Sequence, residues 1–259
     1  MEEYNLPQEK VNRFKLYEGM NTEQMPKLIA EGRIPMNVSQ IMRRRLELRN
    51  DKTGINDFYI NKYFDTGDGV CYHPDGRIKI VLDSQHLRDM TQDTPRSSGA
   101  LILSEDVYKA LEGEEFNKGK FGNAGNWFSK ADVKAHPVWK ILARNQGLLN
   151  NYADYIFAEG RNNTAMGIHL NQTSGDVPKL RAWYVNNFRN GSNIDGTSFL
   201  NINDGCLLGI MLDSNTKRYT LADLQAVDKT IKGLEGTLHP NILKPFIDLR
   251  KKLYNNVSK

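Results

Sequence analysis

The stretch that decides the fold is residues 129–170, SKADVKAHPVWKILARNQGLLNNYADYIFAEGRNNTAMGIHL. Ser129 followed by Asp132 resembles a capping box, which predicts that a helix begins just after the serine. Pro137 interrupts this helix and begins a second one, because proline fits best in the first turn of a helix. Apolar residues then recur at helical spacing, so the helices of this stretch are predicted to cover residues 130–159.

The end of the same stretch alternates between apolar and other residues, which is the spacing of a strand. Upstream, His73-Pro74-Asp75-Gly76 reads as a turn, because proline presets its first central residue and glycine accepts a positive φ. We therefore expect a hairpin over residues 69–82. Further strands are predicted near residues 100–103, 165–170, 180–187 and 206–212. The strand near 180–187 is expected to pair with the one at 165–170.

Strands and helices do not alternate regularly along the chain, which favours an α+β fold over a doubly wound sheet. The sequence predicts a mixed or antiparallel sheet of about five short strands packed against the helices of residues 130–159. Two further helices are predicted at the C-terminal end. We expect an N-terminal helical segment (1–50), a central α+β domain (51–214) and a basic C-terminal helical segment (215–259), together forming one compact unit.

The first twenty residues show little periodicity and read as an ordered arm. A helix is predicted over residues 23–31, and Asn37 with Gln40 caps another that begins at Val38. The five residues GRIPM join these two helices. This arrangement fits either a plain helical hairpin or a DNA-reading helix-turn-helix, and the sequence does not separate the two.

The second of these helices carries a run of arginines, Arg43, Arg44 and Arg45, with Arg49 one turn further on. On a helical wheel Arg45 and Arg49 fall inside the apolar arc, where a solvated arginine has no reason to be. They are expected to meet an acidic partner, a phosphate group or a groove wall along which their stems extend. A structural ion pair at the helix end is the alternative.

Composition places the chain among ordinary globular proteins. Its 259 residues are 39% hydrophobic and 25% charged, and the formal net charge is +4. No apolar run approaches the ~18 residues that span a bilayer, and the N-terminus lacks the apolar core of a secretory signal. We therefore expect a cytoplasmic protein without membrane contact. The two cysteines form no CxxC motif and are expected to be reduced and buried.

Positive charge is concentrated at the C-terminal end. From residue 215 onward there are nine Lys or Arg against four Asp or Glu, an excess of five, so the rest of the chain carries minus one. Such an end suits an acidic partner, although a solvated helix face is the commoner outcome. Lys118 and Lys120 flank a glycine-rich loop before the helix at Ser129, which suggests a second anion site or simply a surface loop.

One group of residues resembles a metal site. Asp65, Asp68, His73 and Asp75 lie within eleven residues and offer oxygen and nitrogen ligands to a divalent ion. Turn-forming aspartates account for the same pattern, since Asp-Gly pairs are common in hairpins. The histidines form no HExxH motif, which argues against a zinc hydrolase. No cofactor is predicted beyond this divalent metal.

These observations lead to two hypotheses about function. The leading hypothesis is a cytoplasmic binding or regulatory module whose basic helices contact an acidic partner such as nucleic acid. The alternative is a metal-assisted hydrolase that uses the Asp65, Asp68, His73 and Asp75 group. The sequence leaves open whether the protein is an enzyme, which ligand or substrate it takes and whether it forms oligomers.

Overall fold

The computed structural model describes residues 13–52, 54–117, 126–158, 164–171 and 175–211, together with Lys229, Ile231 and Lys232. By internal contacts the chain divides into two compact units, Met1–Met211 and Leu212–Lys259. Nearly all described residues belong to the first unit. The two helices predicted at the C-terminal end lie outside the described residues, apart from Lys229, Ile231 and Lys232, which are helical.

The first unit is an α+β structure. Its described helices are α1 Asn21–Ala30, α2 Val38–Leu48, α3 Ile55–Asn61, α4 Gln85–Arg88, α5 Glu105–Ala110, α6 Lys130–Ala135, α7 Pro137–Ala143 and α8 Gln146–Ala158. Its described strands are β1 Phe14–Glu18, β2 Arg33–Pro35, β3 Phe64–Tyr72, β4 Arg77–Val81, β5 Arg96–Ser97, β6 Ala100–Ile102, β7 Glu114–Asn117, β8 Asn126–Phe128, β9 Ala165–His169, β10 Lys179–Val185, β11 Ile194–Asp195 and β12 Cys206–Met211.

These strands form one mixed sheet of twelve, in the order β1-β12-β3-β10-β11-β9-β8. The remaining strands attach to this path, with β2 on β12, β4 on β3, β7 on β4, β6 on β10 and β5 on β6. The prediction of about five short strands was therefore wrong. Six of the twelve were predicted, from apolar patterns and the hairpin turn, whereas most of the missed ones are two to four residues long and carry no pattern that stands out locally.

Three local expectations also need correction. The N-terminal arm contains β1, which pairs antiparallel with β12 from Phe14 opposite Ile210 onward. The GRIPM linker contains β2, which joins the same strand, so the first two helices are separated by a strand of the main sheet. Strand β10 does not pair with β9, because the two-residue strand β11 lies between them. The partner of β1 and β2 is distant in sequence, and β11 has only two residues, so no local pattern indicates these pairings.

Other local signals match the structure. Asn37 and Gln40 form a capping box at the start of α2, with each side chain bonding the other residue's backbone. The Pro-Asp-Gly turn joins β3 to β4, and Gly76 has a φ of +94°. Ser129 caps α6, and Pro137 begins α7.

The sheet is buried on both faces. Along β3 the residues Val70, Cys71 and Tyr72 alternate between two hydrophobic clusters, as the two-residue period of a strand requires. The larger cluster includes apolar residues of α2, α3, α7 and α8, with Trp139 and Trp183 fully buried. The smaller cluster includes residues of α1, α4 and α5. Between β10 and β12 the chain forms a long loop, residues 186–205, which contributes Phe188 and Ile194 to the larger cluster and Leu200 to the smaller one.

Candidate functional site

The 186–205 loop is a long connection between two main strands of the sheet, β10 and β12. It contains only the short strand β11 and one turn of 3-10 helix, Phe188–Asn190. Loops of more than about 12–15 residues with so little secondary structure are uncommon, and those that are ordered are often functional. What orders this loop is a set of buried charged side chains beneath it.

Arg45 is the first of these anchors. It is fully buried, and its guanidinium donates to the carbonyl of Asn186 at 2.9 Å and to the hydroxyl of Ser192 at 3.0 Å. The same group donates to the Tyr59 carbonyl at 2.9 Å and lies over the ring of Phe188 at 5.1 Å. Arg45 therefore holds one end of the loop to the helical side of the core and is not available to a partner.

Arg181 anchors the middle of the loop. Its side chain is 1% exposed and donates to the carbonyls of Thr197 and Ser198, at 3.3 and 2.7 Å. It also donates to the carbonyl of Ser98, which links the loop to the segment before β6. Burial lowers the pKa of this arginine, as expected for a cation whose partners are neutral carbonyls.

Asp65 anchors the end of the loop. This carboxylate is 2% exposed and accepts from the Ser198 hydroxyl at 3.0 Å and from the Cys206 backbone amide at 3.0 Å. Asn21 of α1 also donates to it. Burial raises the pKa of Asp65 to about 6, and these hydrogen bonds oppose the rise only in part.

Above these anchors the loop exposes large apolar side chains. Phe199 is 44% exposed and Ile202 is 41% exposed. The ring of Phe199 lies over the Arg181 guanidinium at 4.8 Å and against Gly99, where a Cβ atom would stand 2.2 Å from the ring. The backbone of Gly99 has a φ of +72°, which also favours glycine. The aromatic ring is thus fixed from behind while its other face is open.

Trp127 repeats this arrangement at the edge strand β8. It is 47% exposed, and its ring packs on Gly191 of the loop, where a Cβ atom would stand 2.6 Å away. Gly191 has a φ of +64°. A second exposed aromatic is therefore seated on a glycine in the left-handed region.

The four residues predicted as metal ligands are not brought together. Asp65 bonds to the loop, whereas Asp68 accepts from the Val38 amide at 2.9 Å and pairs with Arg144 at 2.6 Å. His73 lies between two other carboxylates, Asp75 at 2.6 Å and Glu105 at 2.8 Å. Within the described ranges no group of three or more His, Cys, Asp or Glu could hold a metal ion. No observation there favours the metal-assisted hydrolase.

Asp68 belongs to a structural network. Its carboxylate, 0% exposed, also accepts from the backbone amide of Asp83 at 2.9 Å, and Arg144 bridges the two acids. Asp83 and Arg144 both have a positive φ, of 46° and 58°. Burial raises the pKa of Asp68. The network ties β3 to the start of α2 and the end of α7, and every oxygen of Asp68 is used.

The arginines and lysines predicted to bind anions fall into three groups. Arg45 is buried, as described above. Arg43 and Arg49 are exposed, and Arg44 is half-buried, pairing with Glu47 at 3.3 Å. Lys118 and Lys120 lie outside the described residues. The described face of α2 therefore offers Arg43 and Arg49 as its accessible cations.

Sequence reasoning missed Arg181, Arg144 and the exposed aromatics of this site. Arg181 stands in a strand between apolar residues, and an arginine there was a readable signal of a buried or paired guanidinium. Phe199 and Trp127 gave no such signal, because an isolated aromatic in a polar segment reads equally well as a core residue.

Comparison with known proteins adds one likeness. No family model matches the sequence, and neither does any curated protein. The chain is similar to a solved structure described as "Accommodation of massive sequence variation in Nanoarchaeota by the C-type lectin fold". The two share 13% sequence identity with a TM-score of 0.57, over 77% of this chain and 99% of that chain. This likeness shows a C-type lectin fold, which again differs from the five-stranded sheet expected from the sequence.

The described residues contain no helix long and apolar enough to cross a membrane.

Proposed function

We propose that this chain is a binding module that recognises a protein partner with its 186–205 loop. The observation that carries the proposal is the loop's construction, in which buried charges fix the backbone while Phe199 and Ile202 remain exposed. An aromatic ring already held in one position loses little conformational freedom on binding, which favours affinity. Exposed apolar residues on such a surface are typical of the energetic centre of an interface.

The chemistry around this pair suggests the class of partner. Asn201, Asn203 and Asp204 are exposed beside Phe199 and Ile202. An apolar centre with a polar rim is the usual anatomy of a protein interface. We therefore favour a protein segment that presents an apolar side chain, with polar groups on either side of it.

The likeness to the C-type lectin fold supports the proposal indirectly. The description of the solved structure says that its fold accommodates massive sequence variation. In this chain the loop's anchors, Arg45, Arg181 and Asp65, are all inside, so its outward side chains are free to differ without loss of the fold. We propose that the loop is a recognition surface of that tolerant kind.

A selection experiment tests this. Peptides enriched on the folded protein from a random peptide library are titrated against the Phe199→Ser, Ile202→Ser double variant. We expect at least a tenfold loss of affinity, because hot-spot residues are worth about 2 kcal/mol or more. The matched control is Ile29→Ser on α1, which is 37% exposed and lies outside the loop. Equal binding by the wild type and the double variant would exclude the loop as the recognition surface.

A second candidate function is contact with an acidic partner such as nucleic acid through α2. The observation that favours it is that the side chains of Arg43 and Arg49 are exposed and that their guanidinium groups make no hydrogen bond or ion pair with any described residue. Guanidinium groups in that state suit phosphate, which they bind with two parallel hydrogen bonds.

Titration of labelled duplex and single-stranded nucleic acid at two salt concentrations tests this second candidate. We expect binding at low salt that weakens as salt rises, and a further loss in the Arg43→Ala, Arg49→Ala double variant. Lys27→Ala with Lys140→Ala removes the same charge from other exposed positions and serves as the control. Binding that is absent at low salt, or equally reduced by both double variants, would rule out a specific role for α2.

A further inference from the structure

Asp65 differs from the other buried acid of β3 in its partners. Asp68 pairs with Arg144, but no described lysine, arginine or histidine forms an ion pair with Asp65. Its donors come instead from three separate elements, the Ser198 hydroxyl in the loop, the Cys206 amide in β12 and the Asn21 amide group in α1. Besides the contacts of Arg45 and Arg181, the end of the loop is thus tied to β3 and to α1 through a negative charge that no described cation pairs with.

Asn21 supplies a second, independent feature. It is 1% exposed, and its Oδ1 atom is a buried acceptor without a hydrogen-bond partner. A protonated carboxyl group has one O–H to donate, and the turned amide of Asn21 offers an acceptor for it. The two side chains therefore have one hydrogen-bond arrangement for the ionised acid and another for the neutral acid.

Several other titratable or charged groups surround Asp65. Burial raises the pKa of Cys206 and raises that of Tyr63 to about 12. Tyr184 of β10 lies directly opposite Asp65, and its pKa is raised first by burial and then by the hydrogen bond that it donates to Asp195. Asp204 adds negative charge from the loop, and the Glu18–Lys62 pair lies beyond Cys206.

We propose that Asp65 makes opening of the 186–205 loop depend on protons, so that the loop is held more tightly in acid than at neutral pH. Any opening that separates Ser198 from Asp65 lets water reach the carboxylate and removes the reason for its unusual protonation. Opening then releases a proton above the normal pKa of an aspartate, and a rise in pH favours the open loop. This inference rests on the proposed function for its consequence, since a looser loop presents Phe199 less rigidly.

Hydrogen exchange of the full chain measures this directly. Protection of the backbone amides in residues 195–206, corrected for the pH dependence of intrinsic exchange, is compared at pH 5 and pH 7. With a pKa of about 6 in the closed loop and an ordinary value in the open loop, opening increases by about tenfold between these two conditions. We expect that change in the wild type.

Two variants separate Asp65 from its surroundings. Asp65→Asn is neutral at both pH values and keeps one acceptor and one donor, so its protection should not change between pH 5 and pH 7. Asp204→Asn removes the neighbouring exposed charge and should retain most of the change, because burial is the largest cause of the raised pKa and Asp204 adds to it least. A wild type whose protection is constant, or an Asp65→Asn variant that keeps the change, overturns the proposal. If Asp65→Asn does not fold, the comparison of wild-type protection at pH 5 and pH 7 still tests the proposal.

The peptide titration at a single pH reports on the proposed function alone. Loss of peptide binding in the Phe199→Ser, Ile202→Ser variant does not depend on Asp65, and loop protection does not depend on any peptide. Failure of one experiment is therefore distinguishable from failure of the other.

Discussion

Every non-glycine residue that the structure records with a positive φ shares a hydrogen bond with a buried side chain. These residues and their partners are Asp83 and Arg144 with Asp68, Ser98 with Arg181, Met166 with Trp139, and Ser192 with Arg45. A residue in the left-handed region costs about 1–2 kcal/mol and persists only where its surroundings fix it. Here buried polar side chains hold these residues in place. Most of the residues with a positive φ lie in the 186–205 loop or beside the end of a helix.

Arg45 provides the residue-scale prediction. Replacing it with methionine keeps much of the side-chain volume but leaves the carbonyls of Tyr59, Lys62 and Asn186 without their donor. Each orphaned buried acceptor costs about 1–3 kcal/mol, so we expect Arg45→Met to lower the free energy of unfolding by several kcal/mol. Urea denaturation measures this.

Arg43→Met is the matched control for that variant. Arg43 is exposed on the same helix, and an exposed substitution away from such networks usually changes stability by less than about 0.5 kcal/mol. If the two variants unfold at the same urea concentration, Arg45 does not hold the structure together in the way that its hydrogen bonds indicate.

The sequence located Arg45 correctly on the apolar side of α2 but did not identify its partners. Those partners are mainly carbonyls and hydroxyls, from Tyr59 nearby to Ser192, 147 positions along the chain. A pattern of residue types can show that an arginine must be paired, whereas the identity of a distant backbone acceptor appears only once the chain has folded. Acidic partners were the natural expectation, and no carboxylate is among the hydrogen-bond partners described.

At the scale of elements, predictability follows from how local the cause is. The capping box at Asn37 and the turn at Asp75 each rest on contacts within four residues, and the structure contains both. Strand β2 has three residues, and its only reason to be extended is the ladder with β12, about 170 positions away. Such a strand is made by tertiary structure, so its sequence carries no signal of its own.

Gly191 carries the prediction at this scale, because it joins the loop to the edge strand β8. Alanine at this position must adopt a φ of +64° and also place its Cβ 2.6 Å from the ring of Trp127. We expect Gly191→Ala to destabilise the protein and to displace that ring. Trp139 and Trp183 are fully buried, so acrylamide quenching of tryptophan fluorescence should rise through Trp127.

Gly32→Ala separates the two effects. Gly32 has a φ of +72°, but an added Cβ there would meet nothing within 4 Å. This control should lose only the about 1–2 kcal/mol of backbone strain and leave quenching unchanged. Equal losses of stability in both variants would mean that Trp127 does not pack on the loop as described.

At the scale of the whole molecule, α+β content could be predicted from periodicity, but the twelve-stranded sheet could not. The first described strand lies against the last, since β1 pairs with β12, and this closure joins residues almost two hundred positions apart. The likeness to the C-type lectin fold, at only 13% sequence identity, likewise shows that similar folds form from sequences with little in common. A fold held by long-range pairing and buried polar anchors leaves little trace in the order of residue types.

Two groups in the described part of the chain, buried Asp65 and partly buried His136, should have opposite effects on how global stability depends on pH. Asp65 has its pKa raised to about 6 by burial, so the folded state binds its proton more tightly and loses stability as pH rises from 5 to 7. His136 has its pKa lowered to about 4 by burial. The unfolded state then takes up that proton more readily, and stability falls as pH drops from 7 to 5.

Single variants should uncover each effect. Asn at position 65 removes the first, so the urea midpoint of Asp65→Asn should fall on going from pH 7 to pH 5, by more than in the wild type. His136→Asn keeps an acceptor for the Val138 amide, which His136 Nδ1 now caps at 3.2 Å, and should shift the balance the other way. Because all other titrating groups are common to the variants, the comparison with the wild type isolates these two. If both variants alter the change in urea midpoint between pH 7 and pH 5 in the same direction relative to the wild type, burial does not set these two pKa values as the structure requires.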